Sequence, residues 1–260
     1  MVDIKYLIDQ ANLNKIAHEV DGIYYFLDPC WKKISISVSG GADSALLSYL
    51  LCNKISSMGL GIEVHIISNI RMWKTRPWQR YNSLDVYNWL KEKFKKINFY
   101  RHENFIAPEI EYGSAGPTIT TRNGNKKSGD QISTQSFAEY VCVTNNINAW
   151  FAGITKNPPT DFSVQGMPDR NLENALSLED IFFYKNGIWV CHPFRFTTKD
   201  RIVKQYIDHN ILDLFDLTRS CEGDFDFLDY KNYAPGNFVP ECGECFWCKE
   251  RNWAKQQNGL

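Results

Sequence analysis

The sequence predicts an α/β fold: a doubly wound, mostly parallel sheet with a small cysteine-rich subdomain at its C-terminal end. Three observations carry this. Apolar runs of strand length recur along the chain, each followed by a stretch with helical spacing. A turn, Ser39-Gly40-Gly41-Ala42-Asp43-Ser44, stands where an alternating run ends and a helical pattern begins. Four of the eight cysteines crowd the end of the chain.

In chain order, residues 3–19 have the spacing of an amphipathic helix. Residues 32–39 set Ile34, Ile36 and Val38 against serines, which is a strand signal. Residues 43–57 read as a helix with Leu46, Leu47, Leu50 and Leu51 on one side, and 62–68 as a second strand. A charged, tryptophan-containing helix over 78–96 leads to a third strand at 97–102. Residues 113–130, rich in Gly, Ser, Thr, Asn and Lys, read as a loop. A helix over 133–146 and a strand at 148–154 follow. Residues 155–175, with three prolines, read as an irregular loop. A strand at 187–194 precedes a helix over 197–210, with Thr197 or Thr198 as N-cap. A final helix is expected over 246–257. The expected division is a main domain over 1–210 and a cysteine-rich subdomain over 211–260.

With 260 residues and a net charge of −1, the chain is not built for bulk grip on nucleic acid. No apolar run reaches the ~18 residues of a membrane span. The N-terminus lacks the charged start and apolar middle of a signal peptide. The expectation is a cytoplasmic protein with no membrane partner. Cys30, Cys52, Cys142 and Cys191 sit in apolar contexts and read as small buried hydrophobes. His18, His65, His102, His192 and His209 show no ligand spacing; His102 with Glu103, just past a strand, is the pair kept in reserve.

The glycine turn has the parts of a phosphate cradle. Helix N-termini attract anions through free N–H groups and the helix dipole, and glycine lets the backbone approach closely. Ser39 and Ser44 add hydroxyls. A Walker-type lysine after the last glycine is missing. Asp43 would repel phosphate unless a cation intervenes, and Mg²⁺ bridges carboxylate and phosphate oxygens. The simpler reading is a tight turn with Asp43 or Ser39 as N-cap.

The tail holds Cys221, then Cys242, Cys245 and Cys248 at two-residue spacings. Four thiolates so arranged suit a tetrahedral zinc ion, closed to substrate and therefore structural. An iron–sulfur cluster is the rival reading. The run Arg71–Arg80 interleaves Arg71, Lys74, Arg76 and Arg80 with Trp73 and Trp78. It reads either as a solvated loop with inward tryptophans or as a nucleotide, substrate or nucleic-acid contact.

SGGADS resembles the SGGxDS signature of the PP-loop ATP pyrophosphatases. Thr218, Ser220 and Cys221, followed by Cys242, Gly243, Cys245, Cys248 and Arg251, resemble the tail of the 7-cyano-7-deazaguanine synthase family. The likeness runs with gaps from about residue 33 to 254. It implies a Rossmann-like, adenine nucleotide α-hydrolase-like fold with a zinc-binding tail and Mg²⁺ bound with ATP. Ser39, Gly40, Gly41, Ala42, Asp43, Ser44 and Ser68 would bind ATP, and Asp43, Ser44 and Lys199 would serve the chemistry. Asp161, Pro168, Asp169 and Arg170 would face a purine-like carboxylate. The implied reaction adenylates that carboxylate, releases pyrophosphate, and lets ammonia displace AMP to give an amide; a second ATP carries the amide to a nitrile. A homodimer is implied as well. The chain departs from the family pattern at 68–80, at 129–136 and in the 161–170 loop, where Met167 replaces a tyrosine. A relative acting on another substrate, a tRNA-thiolating enzyme and a nucleotide-binding module are the alternatives.

Overall fold

The computed structural model describes residues 4–71, 78–106, 119–120, 126–127, 129–159, 177–222 and 241–260. Helix α1 (Ile4–Gln10) ends early, and a hairpin of β1 (Ala17–Val20) and β2 (Ile23–Phe26) follows. The helix expected over 3–19 is thus a short helix and a strand. Asn12 (φ 54°) breaks the helix, and Asp21-Gly22 (φ 46° and 76°) takes the left-handed pair that a two-residue hairpin turn needs.

The central sheet has six strands: β3 (Lys33–Ser37), β4 (Glu63–Arg71), β5 (Phe99–Ile106), β8 (Ala149–Ala152), β9 (Phe182–Lys185) and β10 (Ile188–Cys191). A separate two-stranded ribbon pairs β6 (Ile119–Thr120) with β7 (Lys126–Lys127). The order is β5-β4-β3-β8-β10-β9, parallel throughout except that β9 runs against β10. Strand β9 was not expected. Its signal is Asn186-Gly187 (φ 53° and 83°), a second hairpin turn of the same kind.

The helices are α2 (Ala42–Ser57), α3 (Gln79–Lys93), α4 (Gly129–Thr144), α5 (Lys199–Asp208), α6 (Leu212–Asp216) and α7 (Phe246–Gln257). They cover both faces. On one face, Ile34, Ile36, Val64, Ile66 and Phe151 pack in a core with Leu46 and Leu50 of α2, Leu90 of α3, Tyr206 of α5 and Ala254 of α7. Each such buried Val, Leu, Ile or Phe side chain stabilises the fold by about 1.5–3 kcal/mol. On the other face, Ile67, Trp150 and Val190 pack with Ala138, Val141 and Cys142 of α4. The serines of the Ile-Ser alternation point here: Ser35 Oγ lies 3.2 Å from Cys142 Sγ, and Ser37 Oγ accepts from Trp150 Nε1 at 2.8 Å. The sheet is therefore doubly wound and Rossmann-like. Cys52, Cys142 and Cys191 are buried, as expected, whereas Cys30 is exposed.

This topology positions the site. From β3 the chain winds outward to β4 and β5, then returns to place β8 on the other side of β3. Loops leaving such neighbouring strands part in opposite directions and open a crevice at the carboxyl end of the sheet. The turn after β3 and the segment after β8 form the walls of that crevice.

Candidate functional site

A cleft of about 220 Å³ lies at this switch point. Ser39, Gly41, Ala42 and Asp43 line it from the turn, Gly153 and Thr155 from the end of β8, and Lys199 from α5. Trp78 and Gln79 come from α3, Arg219 to Glu222 from the tail, and Trp247 from α7. Four helix N-termini thus meet at one cavity, those of α2, α3, α5 and α7. The N-cap positions are Gly41, Trp78, Thr198 and Cys245, and none makes a side-chain cap hydrogen bond. Asp43 and Ser39 therefore do not cap α2, contrary to the simpler reading of the turn. Converging helix dipoles make the cleft a favourable place for an anion.

The turn is folded on itself. Ser39 N–H donates to Ser44 Oγ at 3.1 Å, Gly41 N–H donates to Ser39 Oγ at 3.3 Å, and Ser44 Oγ donates to Gly41 O at 3.1 Å. The serine hydroxyls thereby set the shape of the loop. Gly40 has φ +79°, and a Cβ there would meet Asn82 Cβ at 2.8 Å, so α3 packs where a side chain would stand. Gly153 brings the end of β8 against the first turn of α2; a Cβ would sit 3.0 Å from Asp43 O and Ser44 N. These two glycines let three elements approach closely.

Asp43 sits in the first turn of α2 and points across the cleft to α5. Lys199 Nζ donates to both its oxygens at 2.5 Å, with side-chain exposures of 4% and 17% for lysine and aspartate. Thr155 Oγ1 lies 3.4 Å from Asp43 Oδ2. Lys156 N–H donates to Thr197 O at 2.9 Å, tying the β8 segment to the start of α5. Tyr206 donates to Ala42 O at 2.6 Å from full burial, which together with the Asp43 charge pushes its phenol well above the usual range. The tertiary fold therefore brings together residues 156 positions apart in sequence.

The second feature adjoins the first. The sulfurs of Cys221, Cys242, Cys245 and Cys248 lie within 4.8 Å of one another. Cys221 Sγ is 3.5 Å from Cys242 Sγ, which is 3.9 Å from Cys248 Sγ. Sulfurs about 2.3 Å from one tetrahedral ion stand about 3.8 Å apart, so the donor set fits a single metal ion. Backbone N–H groups of Glu222, Cys242 and Cys245 donate to these sulfurs at 3.3–3.4 Å. Hydrogen bonds from Cys221 and Cys248 hold the Cys245 thiol far below its ordinary range. Arg251, buried, braces the segment before Cys221: it donates to Thr218 Oγ1 at 2.9 Å and to Phe215 O at 3.1 Å. Cys221 belongs to both the cysteine cluster and the cleft lining.

Other expected residues lie elsewhere. Ser68 is buried in β4 and does not line the cleft. Asp161, Pro168, Asp169 and Arg170 lie outside the described residues, as do Trp73, Lys74 and Arg76. Trp78 packs with Cys221 and Cys248 and lines the cleft, whereas Arg80 pairs with Glu103 at 3.6 Å, outside it. His102 is hydrogen-bonded to His65 at 2.9 Å, and neither reaches the cleft. Arg219, Gly153 and Thr155 were not singled out by the sequence; the Thr218–Cys221 motif was the nearest signal to Arg219. Among the described residues, no helix is long and apolar enough to cross a membrane.

No family model matches the chain, and no curated protein matches it. Solved structures do. A U34-tRNA thiolase from Methanococcus maripaludis, with its 4Fe–4S cluster, has 13% identity and a TM-score of 0.43, over 86% of this chain and 64% of that one. A phosphoadenylyl-sulfate reductase from Candida auris has 11% identity and a TM-score of 0.38, over 76% and 83% of the two chains. NAD⁺ synthetase from Burkholderia pseudomallei has 9% identity and a TM-score of 0.37, over 88% and 83%. This chain spans less than two thirds of the thiolase's length. With each of these TM-scores below 0.5, the likenesses fix neither a family nor a reaction.

Proposed function

We propose that this chain is an ATP-dependent ligase that adenylates a small, purine-like carboxylate, as the 7-cyano-7-deazaguanine synthases do. The observation that carries the reading is the convergence of the SGGADS turn, Asp43 and Lys199 on one cleft at the sheet's switch point. The turn and four helix N-termini would hold the β- and γ-phosphates. Asp43 would hold Mg²⁺, whose chemistry there is to neutralise charge on the phosphates. One Asp43 oxygen would serve the ion while the other keeps Lys199, whose ammonium would hold the carboxylate in place. The substrate carboxylate oxygen attacks the α-phosphorus, the bond to the bridging oxygen breaks, and pyrophosphate leaves. Ammonia then attacks the acyl carbon, AMP leaves with its phosphate oxygen, and a proton passes to solvent. A second ATP adenylates the amide oxygen and releases pyrophosphate; the carbon–oxygen bond then breaks, AMP leaves with that oxygen, the nitrogen gives up its protons to solvent, and a nitrile remains. Positioning and charge stabilisation account for the catalysis, with no side-chain nucleophile.

The cysteine centre would hold one structural Zn²⁺. The single-ion sulfur spacing supports zinc over a cluster, in which each thiolate binds its own iron and the sulfurs spread further apart. We also propose that the tail from 211 is the zinc-bound subdomain and that the substrate loop lies at 161–170.

The test incubates purified protein with ATP, Mg²⁺, ammonium and 7-carboxy-7-deazaguanine, with mass spectrometry of products and quantified AMP and pyrophosphate. A nitrile with two AMP per turnover is expected. Intact metal and ATP binding without any AMP or pyrophosphate release would overturn 7-carboxy-7-deazaguanine as the substrate and assign the cleft to another acid.

A further inference from the structure

We propose that Arg219 is the phosphate-gripping cation of the cleft, binding the pyrophosphate moiety of the nucleotide while Trp78 holds its guanidinium in place. The inference rests on the nucleotide reading above and adds a residue which that reading does not use.

The turn lacks the lysine that follows the glycines in a Walker loop. A bound pyrophosphate carries several negative charges, so another cation must serve. Among the described residues that line the cleft, the cations are Lys199 and Arg219. Lys199 holds both oxygens of Asp43, the carboxylate placed for the metal ion. Arg219 is the cation held beside the turn by the main chain itself: its N–H donates to Gly40 O at 2.9 Å. Its carbonyl lies 3.6 Å from where a Gly41 Cβ would stand.

The guanidinium is pre-set. Its Cζ lies 4.2 Å from the centroid of the Trp78 ring. Trp78 is 2% exposed and packs with Cys221 and Cys248, so the platform cannot swing away. A guanidinium over an aromatic face is held there by cation–π attraction, and its N–H fork can meet phosphate oxygens two at a time. The flanking chain is fixed on both sides, Thr218 by Arg251 and Cys221 by the cysteine centre. Little side-chain freedom is then lost on binding, which favours affinity.

The experiment is calorimetric titration of inorganic pyrophosphate, and separately of ATP with Mg²⁺, into the metal-loaded full chain. The chains compared are the wild type, Arg219→Ala, Arg219→Lys, and Arg201→Ala as an exposed control, with metal content measured in each. Arg219→Ala should weaken pyrophosphate binding by about 10- to 100-fold, the effect of one charge-assisted bidentate contact. Arg219→Lys should recover part of the loss, because a point charge remains without the fork. Arg201→Ala should bind as the wild type does. Wild-type affinity in Arg219→Ala would overturn the proposal. So would Arg219→Lys binding no better than Arg219→Ala while keeping its metal, since charge would then be irrelevant. A wild-type chain that binds neither pyrophosphate nor ATP would overturn the nucleotide reading itself, and this proposal with it.

Discussion

Replacing Gly40 by alanine tests the geometry of the turn directly. Two penalties add. The φ of +79° puts an L-residue in the left-handed region, at about 1–2 kcal/mol. The new Cβ would then stand 2.8 Å from Asn82 Cβ and 3.0 Å from Ser83 N. Neither neighbour is the free end of a side chain, and Asn82 is anchored by its Nδ2, which donates to Leu217 O at 2.7 Å. The overlap is relieved by displacing α3 or the turn, at about 1–3 kcal/mol. The sum is about 2–5 kcal/mol, or a fall in Tm on the order of 5–15 °C. Gly59 is the matched control: its φ is +65° and nothing lies within 4 Å of its Cβ position. Gly59→Ala should carry the conformational penalty alone, about 1–2 kcal/mol. The assay is urea and thermal unfolding of the metal-loaded proteins side by side. Equal losses for the two substitutions would refute the claim that α3 packs against the turn.

Further outcomes follow from the same geometry. Lys199→Met leaves the Asp43 carboxylate without its ammonium and should destabilise by about 3–5 kcal/mol; adding Asp43→Asn should recover part of that. A double-mutant cycle in urea checks this, and additive losses would refute coupling. Chelating the metal should lower both the melting temperature and the pyrophosphate affinity, because Cys221 belongs to both sites; unchanged affinity in metal-free but folded protein would separate them. Burial, then the neighbouring charges of His102 and Lys33, holds His65 down at about 4, and burial with Arg195 does the same for His192. Unfolded histidines titrate near ~6.5, so below that pH the unfolded chain takes up protons that the folded chain refuses. Stability should be full above about pH 6.5 and fall on acidification towards pH 4, by on the order of 1–2 kcal/mol per histidine at pH 5. Denaturant midpoints from pH 7.5 down to about pH 5 check this, and His65→Gln should flatten the fall.

The amino-acid sequence by itself determined the parts that local chemistry dictates. Strand and helix periods follow from which residues can be buried on a pleat or a helical face, so the five parallel strands and the helices after them were legible. The glycine turn and the cysteine spacing were legible for the same reason, since backbone freedom and thiolate chemistry travel with residue type. Two hairpins were missed, although Asp21-Gly22 and Asn186-Gly187 marked both turns; apolar spacing over 3–19 fitted a helix as well as it fitted a strand. Tertiary structure alone decided what meets what. The strand order puts β8 beside β3, and that adjacency brings Gly153 onto Asp43 and Lys199 across from α5. The tail then folds back so that Arg219 reaches both Gly40 and Trp78, a contact that no short spacing encodes. Ion pairs and stacks of this kind depend on distances of a few ångströms between residues far apart in the chain, and packing the two faces of the sheet is what fixes those distances.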